Sequence, residues 1–261
     1  MKEKERRARI LAFTNWKGGV GKTTTCVNLS AFLVEEGKRV LIIDLDPQGN
    51  ASSGVGIEKK AGIKTIYNLL CDDCDISEAV HLTAIKGLEI IPANVDLAGA
   101  EEELVRINGR ERILKNIVDK IRSSYDYICI DCPPSLGLLP VNALTAADSL
   151  IIPIQCEFYA LEGIAQLIHT VKLIKKGLNP NLTIDGVLLT MEGRGNLTEQ
   201  VAAEILKYFG KTVFKVRIPR NIRLAEAPSH GKPITLYDSK CSGAKAYQLL
   251  CHEFLDRMRH Q

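Results

Sequence analysis

A run of eight residues, Lys17-Gly18-Gly19-Val20-Gly21-Lys22-Thr23-Thr24, constrains this chain more than any other feature. It follows an apolar run, Ile10–Thr14, that reads as a buried strand. It opens a segment, Lys22–Glu36, with Cys26, Leu29 and Leu33 near the helical period and Gly37 after its end. Strand, glycine-rich turn and helix in that order make a phosphate-binding loop. Glycines let backbone N–H groups curl around phosphate oxygens where side chains would obstruct them, and the helix start adds partial positive charge. Lys22 is placed to reach the β- and γ-phosphates, and the Thr23 hydroxyl to complete a Mg²⁺ shell. The general pattern has glycine at position 16, where this chain has Trp16; the match is to the deviant form that begins Lys-Gly-Gly, with a second lysine at 17.

The rest of the chain repeats strand, loop and helix. Val40–Asp44, Leu88–Pro92, Tyr127–Asp131, Leu150–Ile154, Ile184–Thr190 and Val213–Ile218 are rich in Ile, Val and Leu and do not alternate with polar residues. Parallel strands covered on both faces look like this. Helical spacing is expected over Gly109–Ser123, Leu161–Lys176, Asn196–Phe209 and Gly243–Met258. The expected fold is α/β, a doubly wound and mostly parallel sheet with helices on both faces. No linker or internal repeat divides the 261 residues, so one domain is expected, with residues 1–9 as a basic N-terminal segment.

The composition narrows the function classes. Thirty-four Lys and Arg against thirty-one Asp and Glu give a net charge of +3, which excludes a polycation but not a local basic face. Aromatic residues are 5%, too few to favour a base-stacking single-strand binder. No apolar run approaches the ~20 residues of a membrane span. The charged N-terminus has no apolar stretch behind it, so a cytosolic location with reduced thiols is expected. Of the eight cysteines, Cys129 and Cys132 lie three apart at a strand end, where they point to opposite faces and do not converge on an ion. Cys71 and Cys74 sit in a polar turn with the spacing of a metal pair, and their plainer reading is small buried or turn cysteines.

Two carboxylates complete a hydrolytic reading. Asp131 ends the strand Tyr127–Asp131, before Cys132-Pro133-Pro134, where a Mg²⁺-holding acid belongs. Asp44 ends Val40–Asp44, where a carboxylate can orient or activate the attacking water. Asp46, Pro47 and Gly49 beyond it read mostly as turn chemistry.

Five stretches together resemble the ParA/Soj chromosome-partitioning ATPases: Lys17–Thr24, Asp44–Asn50, Ile130–Pro134, Gln155–Gly163 and Ile218–Gly231. The resemblance runs from about Ile10 to Phe254. The deviant loop alone is shared with MinD and the nitrogenase iron protein, whereas Pro219-Arg-Asn-Ile-Arg-Leu-Ala-Glu-Ala-Pro-Ser-His-Gly231 is more specific. The resemblance implies ATP, ADP and Mg²⁺ as ligands and a nucleotide-dependent homodimer in which Lys17 contacts the partner's nucleotide. It implies Asp44 as the catalytic carboxylate and Pro219, Arg220 and Asn221 beside the adenine. It implies non-specific binding of double-stranded DNA, nucleoid association in the ATP state, and slow hydrolysis stimulated by a ParB-type protein. Positions matching Arg194 and Arg223 contact DNA in that family. The charge pattern agrees: Arg194–Arg223 holds seven cations, Lys211 and Lys215 among them, against two carboxylates, a net of +5. The loop Glu192-Gly193-Arg194-Gly195 departs from the family's usual pattern there.

Three rivals share the loop. A MinD-like membrane-cycling ATPase needs a C-terminal amphipathic helix free to enter a membrane surface; Gly243–Met258, three residues from the chain end, reads instead as packed, so no stable membrane insertion is expected. An iron–sulfur reductase would need cluster ligands near Cys132, whose Asp-Cys-Pro-Pro setting does not look like a cluster loop. An ATP-dependent synthetase would turn over without DNA or a partner protein.

Overall fold

The computed structural model describes residues 7–58, 60, 62–72, 74–157, 160–193 and 195–260. Seven strands form one sheet: β1 Arg9–Phe13, β2 Val40–Asp44, β3 His81–Leu82, β4 Leu88–Ile91, β5 Tyr127–Asp131, β6 Ser149–Gln155 and β7 Thr183–Thr190. The order across the sheet is β3-β4-β2-β5-β1-β6-β7, and every pairing is parallel except the short β3–β4 edge. This is the doubly wound α/β sheet expected from the apolar runs.

Residues alternate between two apolar cores along each strand. Ile10, Ala12, Leu41, Ile43, Ile128 and Ile130 pack on one face. Leu11, Phe13, Val40, Ile42, Tyr127 and Cys129 pack on the other. Both faces are covered, so the strands carry no polar alternation. Cys129 and Cys132 fall in opposite cores, as their spacing requires. Among the described residues no cluster of His, Cys, Asp and Glu is arranged to hold a metal, Cys71 and Cys74 included.

Two of the differences from the sequence expectation have a clear physical cause. Val213–Ile218 is not a regular strand. It runs beside β7 and touches it through isolated bonds, from the Phe214 N–H to the Val187 carbonyl and from the Ile218 N–H to the Leu189 carbonyl. The N–H groups of Lys215 and Val216 donate to the Glu253 carboxylate on the C-terminal helix, Ser242–Arg259, which removes them from any ladder. Phe214 lies directly over Gly186, where a Cβ would come within 1.9 Å of its ring, so only glycine admits this crossing. The second difference is the helix Leu138–Ala146 after β5, seven of whose nine residues are buried. An element buried nearly all round shows no helical period.

Two further helices frame the functional end of the sheet. Lys22–Glu35 follows β1. Asn50–Gly54 follows β2 and its turn. The C-terminal helix packs Tyr247, Leu250, Cys251 and Phe254 into the same core as Cys26, Leu29 and Leu33 of Lys22–Glu35. Each large side chain so buried contributes about 1.5–3 kcal/mol.

Candidate functional site

β1 lies between β5 and β6, so the glycine-rich turn leaves the sheet at its topological switch point. Gly19 and Gly21 adopt φ of 74° and 86°, left-handed values that suit glycine. Gly21 caps Lys22–Glu35, and its carbonyl accepts the first helical bond, from the Thr25 N–H at 2.9 Å. Side chains brace the loop from outside. Asn15, buried, donates from Nδ2 to the Pro153 carbonyl at 2.8 Å and accepts the Lys17 N–H at 3.1 Å. Thr190, at the end of β7, donates from its hydroxyl to the Val20 carbonyl at 2.8 Å. No motif pointed to Asn15 or Thr190. The Lys22 ammonium folds back onto the Lys17 carbonyl at 3.1 Å. Burial lowers its pKa, against the opposing pull of Asp131 and Asp46.

Asp44 and Asp131 are register partners at the adjoining ends of β2 and β5, and both are fully buried. Parallel strands run roughly 4.8 Å apart, so two carboxyl groups share one dry site. Their hydrogen bonding differs. Asp44 accepts the Ser52 N–H and hydroxyl at Oδ2 and the Asp46 N–H at Oδ1. Burial pushes its pKa up to about 6 even though these bonds favour the ionised form. Among the described residues neither Asp131 oxygen has a hydrogen-bond partner. Burial first, then the Asp44 charge, raise its pKa well above the usual carboxylate range; Thr23 and Lys22 pull the other way, Thr23 without completing a regular hydrogen bond. A buried, unpartnered carboxylate flanked by a threonine hydroxyl and a lysine fits a hard divalent cation, which takes oxygen ligands.

A cavity of about 300 Å³ opens beside the loop, lined by Gly21, Thr24, Thr190, Met191 and Tyr247 and by Pro219, Arg220 and Asn221. The last three were expected beside a purine, and the structure brings them to the loop. Asn221 is fixed there by accepting the N–H groups of Arg223 and Leu224 and donating to the Ser242 hydroxyl. Met191, absent from the sequence expectation, lines the wall with φ of 51°, an uncommon value for a side-chain-bearing residue. Lys17 pairs with Glu157 at 2.5 Å.

The basic segment is only partly free. Lys207, Lys211 and Lys215 are exposed. Arg217 is paired with Glu192 at 2.6 Å, and Arg223 with Glu226 at 2.9 Å and Asp238 at 3.6 Å. Arg194 and residues 2–6 of the basic N-terminal run lie outside the described residues. Cys132 is buried, and its thiol is pushed up by burial and by Asp131, the opposite of an activated ligand. Among the described residues no helix is long and apolar enough to cross a membrane.

The sequence matches the AAA domain family over residues 8–184. It is 56% identical over 246 residues to the sporulation initiation inhibitor protein Soj of Bacillus subtilis, covering 94% of this chain and 97% of that protein. It is 52% identical over 250 residues to the chromosome partitioning protein ParA of Myxococcus xanthus, covering 95% and 88%. Among solved structures, a cobyrinic acid a,c-diamide synthase of Mycobacterium smegmatis with bound ADP and magnesium superposes with a TM-score of 0.84 at 36% identity, covering 97% of this chain and 96% of that one.

Proposed function

Because the chain belongs to the ParA/Soj family of chromosome-partitioning ATPases, we propose that it uses ATP hydrolysis to time a DNA-bound state. It is an ATP hydrolase with ATP and ADP as nucleotides and Mg²⁺ as metal. In this reading residues 1–261 work as one ATPase domain. The observation that carries the reading is the buried, unpartnered Asp131 next to Asp44 at the mouth of the phosphate loop.

The residues divide the work. Lys17, Gly18, Gly19, Val20, Gly21, Lys22, Thr23 and Thr24 cradle the phosphates, and Pro219, Arg220 and Asn221 wall the base. Thr23 and Asp131 would hold the metal, which when bound neutralises charge on the β- and γ-phosphates. Asp44 orients the attacking water. Two ATP-loaded copies join face to face, and Lys17 exchanges Glu157 for the partner's nucleotide. Lys211, Lys215, Arg223 and Arg194 meet DNA phosphates without reading sequence. A ParB-type partner speeds hydrolysis and so ends the DNA-bound state. The protein is cytoplasmic and sits on the nucleoid while ATP-bound. The C-terminal helix supports this over a membrane-cycling role, since Tyr247, Leu250 and Phe254 are buried in the core.

The test is DNA binding by Asp44→Ala with ATP at low and high salt. Binding that requires ATP and weakens with salt is expected; binding indifferent to either would sink the mechanism. Arg223→Ala should weaken DNA binding and spare ATP binding. A synthetase reading is favoured by the likeness to the ADP-bound synthase. Turnover unaffected by DNA and by a ParB-type protein, each alone and together, would select it instead.

A further inference from the structure

We propose that Ser52 is a positioning residue for Asp44 and decides which carboxylate oxygen faces the reacting water. The inference rests on the reading of Asp44 as the hydrolytic carboxylate. Ser52 lies on the helix Asn50–Gly54, beyond the glycine-rich loop and both acidic strand ends, and is fully buried. Its N–H and its hydroxyl both donate to Asp44 Oδ2, at 2.8 and 2.7 Å. The Ala93 N–H donates to the same hydroxyl at 3.0 Å. An amide N–H can only donate and an ionised carboxylate can only accept. The direction of the hydroxyl proton is therefore fixed, from Ser52 Oγ to Asp44.

The lone-pair count gives the consequence. An ionised carboxylate has about four acceptor positions, two on each oxygen. Ser52 fills both on Oδ2. Oδ1 receives one bond, from the Asp46 N–H at 3.2 Å, and keeps one position open. Ser52 thus holds the carboxyl plane so that Oδ1 is the oxygen with capacity for a water proton. Asp131, equally buried on the next strand, has no such brace. The anchor of the hydroxyl is Ala93, just past β4, so the connections after β2 and β4 together fix this one orientation.

The experiment compares the full chain with Ser52→Ala, Ser52→Thr and Asp44→Ala. It measures kcat and KM for ATP with Mg²⁺ and double-stranded DNA, the affinity for a non-hydrolysable ATP analogue, and the melting temperature. Ser52→Ala should lower kcat by about tenfold or more, the scale of losing one hydrogen bond to a charged group, while KM and analogue affinity stay within about twofold, since the phosphate cradle is untouched. The loss should fall short of that in Asp44→Ala, because the backbone bond remains. Ser52→Thr keeps the hydroxyl and should retain most of the rate. The proposal is overturned by a wild-type kcat in Ser52→Ala beside an inactive Asp44→Ala. It is equally overturned if KM and analogue affinity worsen as much as kcat, or if Ser52→Thr is as slow as Ser52→Ala at a normal melting temperature. An active Asp44→Ala overturns the reading of Asp44 itself, and this inference with it.

Discussion

At the ends of β1, β2 and β5 the polar groups are buried, and most are held by backbone groups or by one another. Along Lys207–Arg223 the cations lie in or near solvent, and Arg217 and Arg223 are tied to acids. The two regions share a wall, since Pro219–Asn221 lines the cavity beside Gly21. Yet they store charge differently. The cradle holds two adjoining carboxyl groups in a dry site, a cost that a cation and a polyphosphate would offset. The flank pays little for its charges, because water screens them. The cradle should therefore respond to small changes with large effects, and the flank to large changes with small, salt-dependent ones.

The largest expected effect follows from removing a charge from the cradle. Lys22→Ala or Asp44→Ala should reduce ATP turnover by about 10²–10⁴-fold, the usual worth of a positioned catalytic group. Steady-state hydrolysis with DNA present checks this. A loss below about tenfold in both would mean that the buried groups are structural.

Next comes the pH dependence of stability without nucleotide. The folded pKa of Asp44, about 6, lies above its ordinary value of 3.8. A raised acid binds its proton more tightly when folded, so the proton's stabilisation is full below about pH 4 and is lost as pH rises through 6. Asp44→Asn mimics the protonated form at every pH. It should be the more stable protein above pH 6, with the gap closing toward pH 4. Urea unfolding across that range checks the sign, and a gap that widens toward acid would reverse it.

Both regions were visible in the sequence to different depths. The cradle was legible because its chemistry needs fixed residue types at fixed spacing, and because strands buried on both faces leave apolar runs that end where their acids sit. Ser52, Asn15 and Thr190 were not legible. Asn15 and Thr190 make their key bonds 138 and 170 positions away, and Ser52, eight residues from Asp44, is anchored by Ala93, 41 positions away; no local pattern marks such partners. The net of +5 over Arg194–Arg223 was readable, but its pairing was not, because Glu192, Glu226 and Asp238 reach the arginines only through the folded chain. The same blindness made Val213–Ile218 look like a strand: nothing local shows that Glu253 takes its N–H groups. The two-residue edge strand His81–Leu82 is too short to carry a period.

On the flank the effects should be modest and graded by salt. Lys211→Ala with Lys215→Ala should flatten the log–log salt slope of DNA binding by about 1.8, since each DNA phosphate left without its lysine takes away about 0.9, at unchanged ATP affinity. Glu226→Gln should act in the opposite direction, since it weakens the hold on Arg223; DNA binding should tighten by about two- to threefold at low salt, on the scale of an exposed ion pair. Fluorescence anisotropy with a labelled duplex reads both. If Glu226→Gln weakens binding, Arg223 works from its paired position and the flank is as preorganised as the cradle.

The smallest effect tests whether the regions are separable at their shared wall. Thr190→Val keeps the methyl group that sits 3.7 Å from the Cβ position of Gly21, but removes the hydroxyl bound to the Val20 carbonyl. One hydrogen bond of this kind is worth about 1 kcal/mol, so ATP should bind about fivefold more weakly. The bond is already made without nucleotide, so its loss should also lower the melting temperature, by about 2–4 °C. Once saturated with ATP, the variant should bind DNA with the wild-type salt slope. A changed slope at saturation would mean that β7 carries loop geometry into the flank through Met191 and Pro219, and the two regions would then be one device.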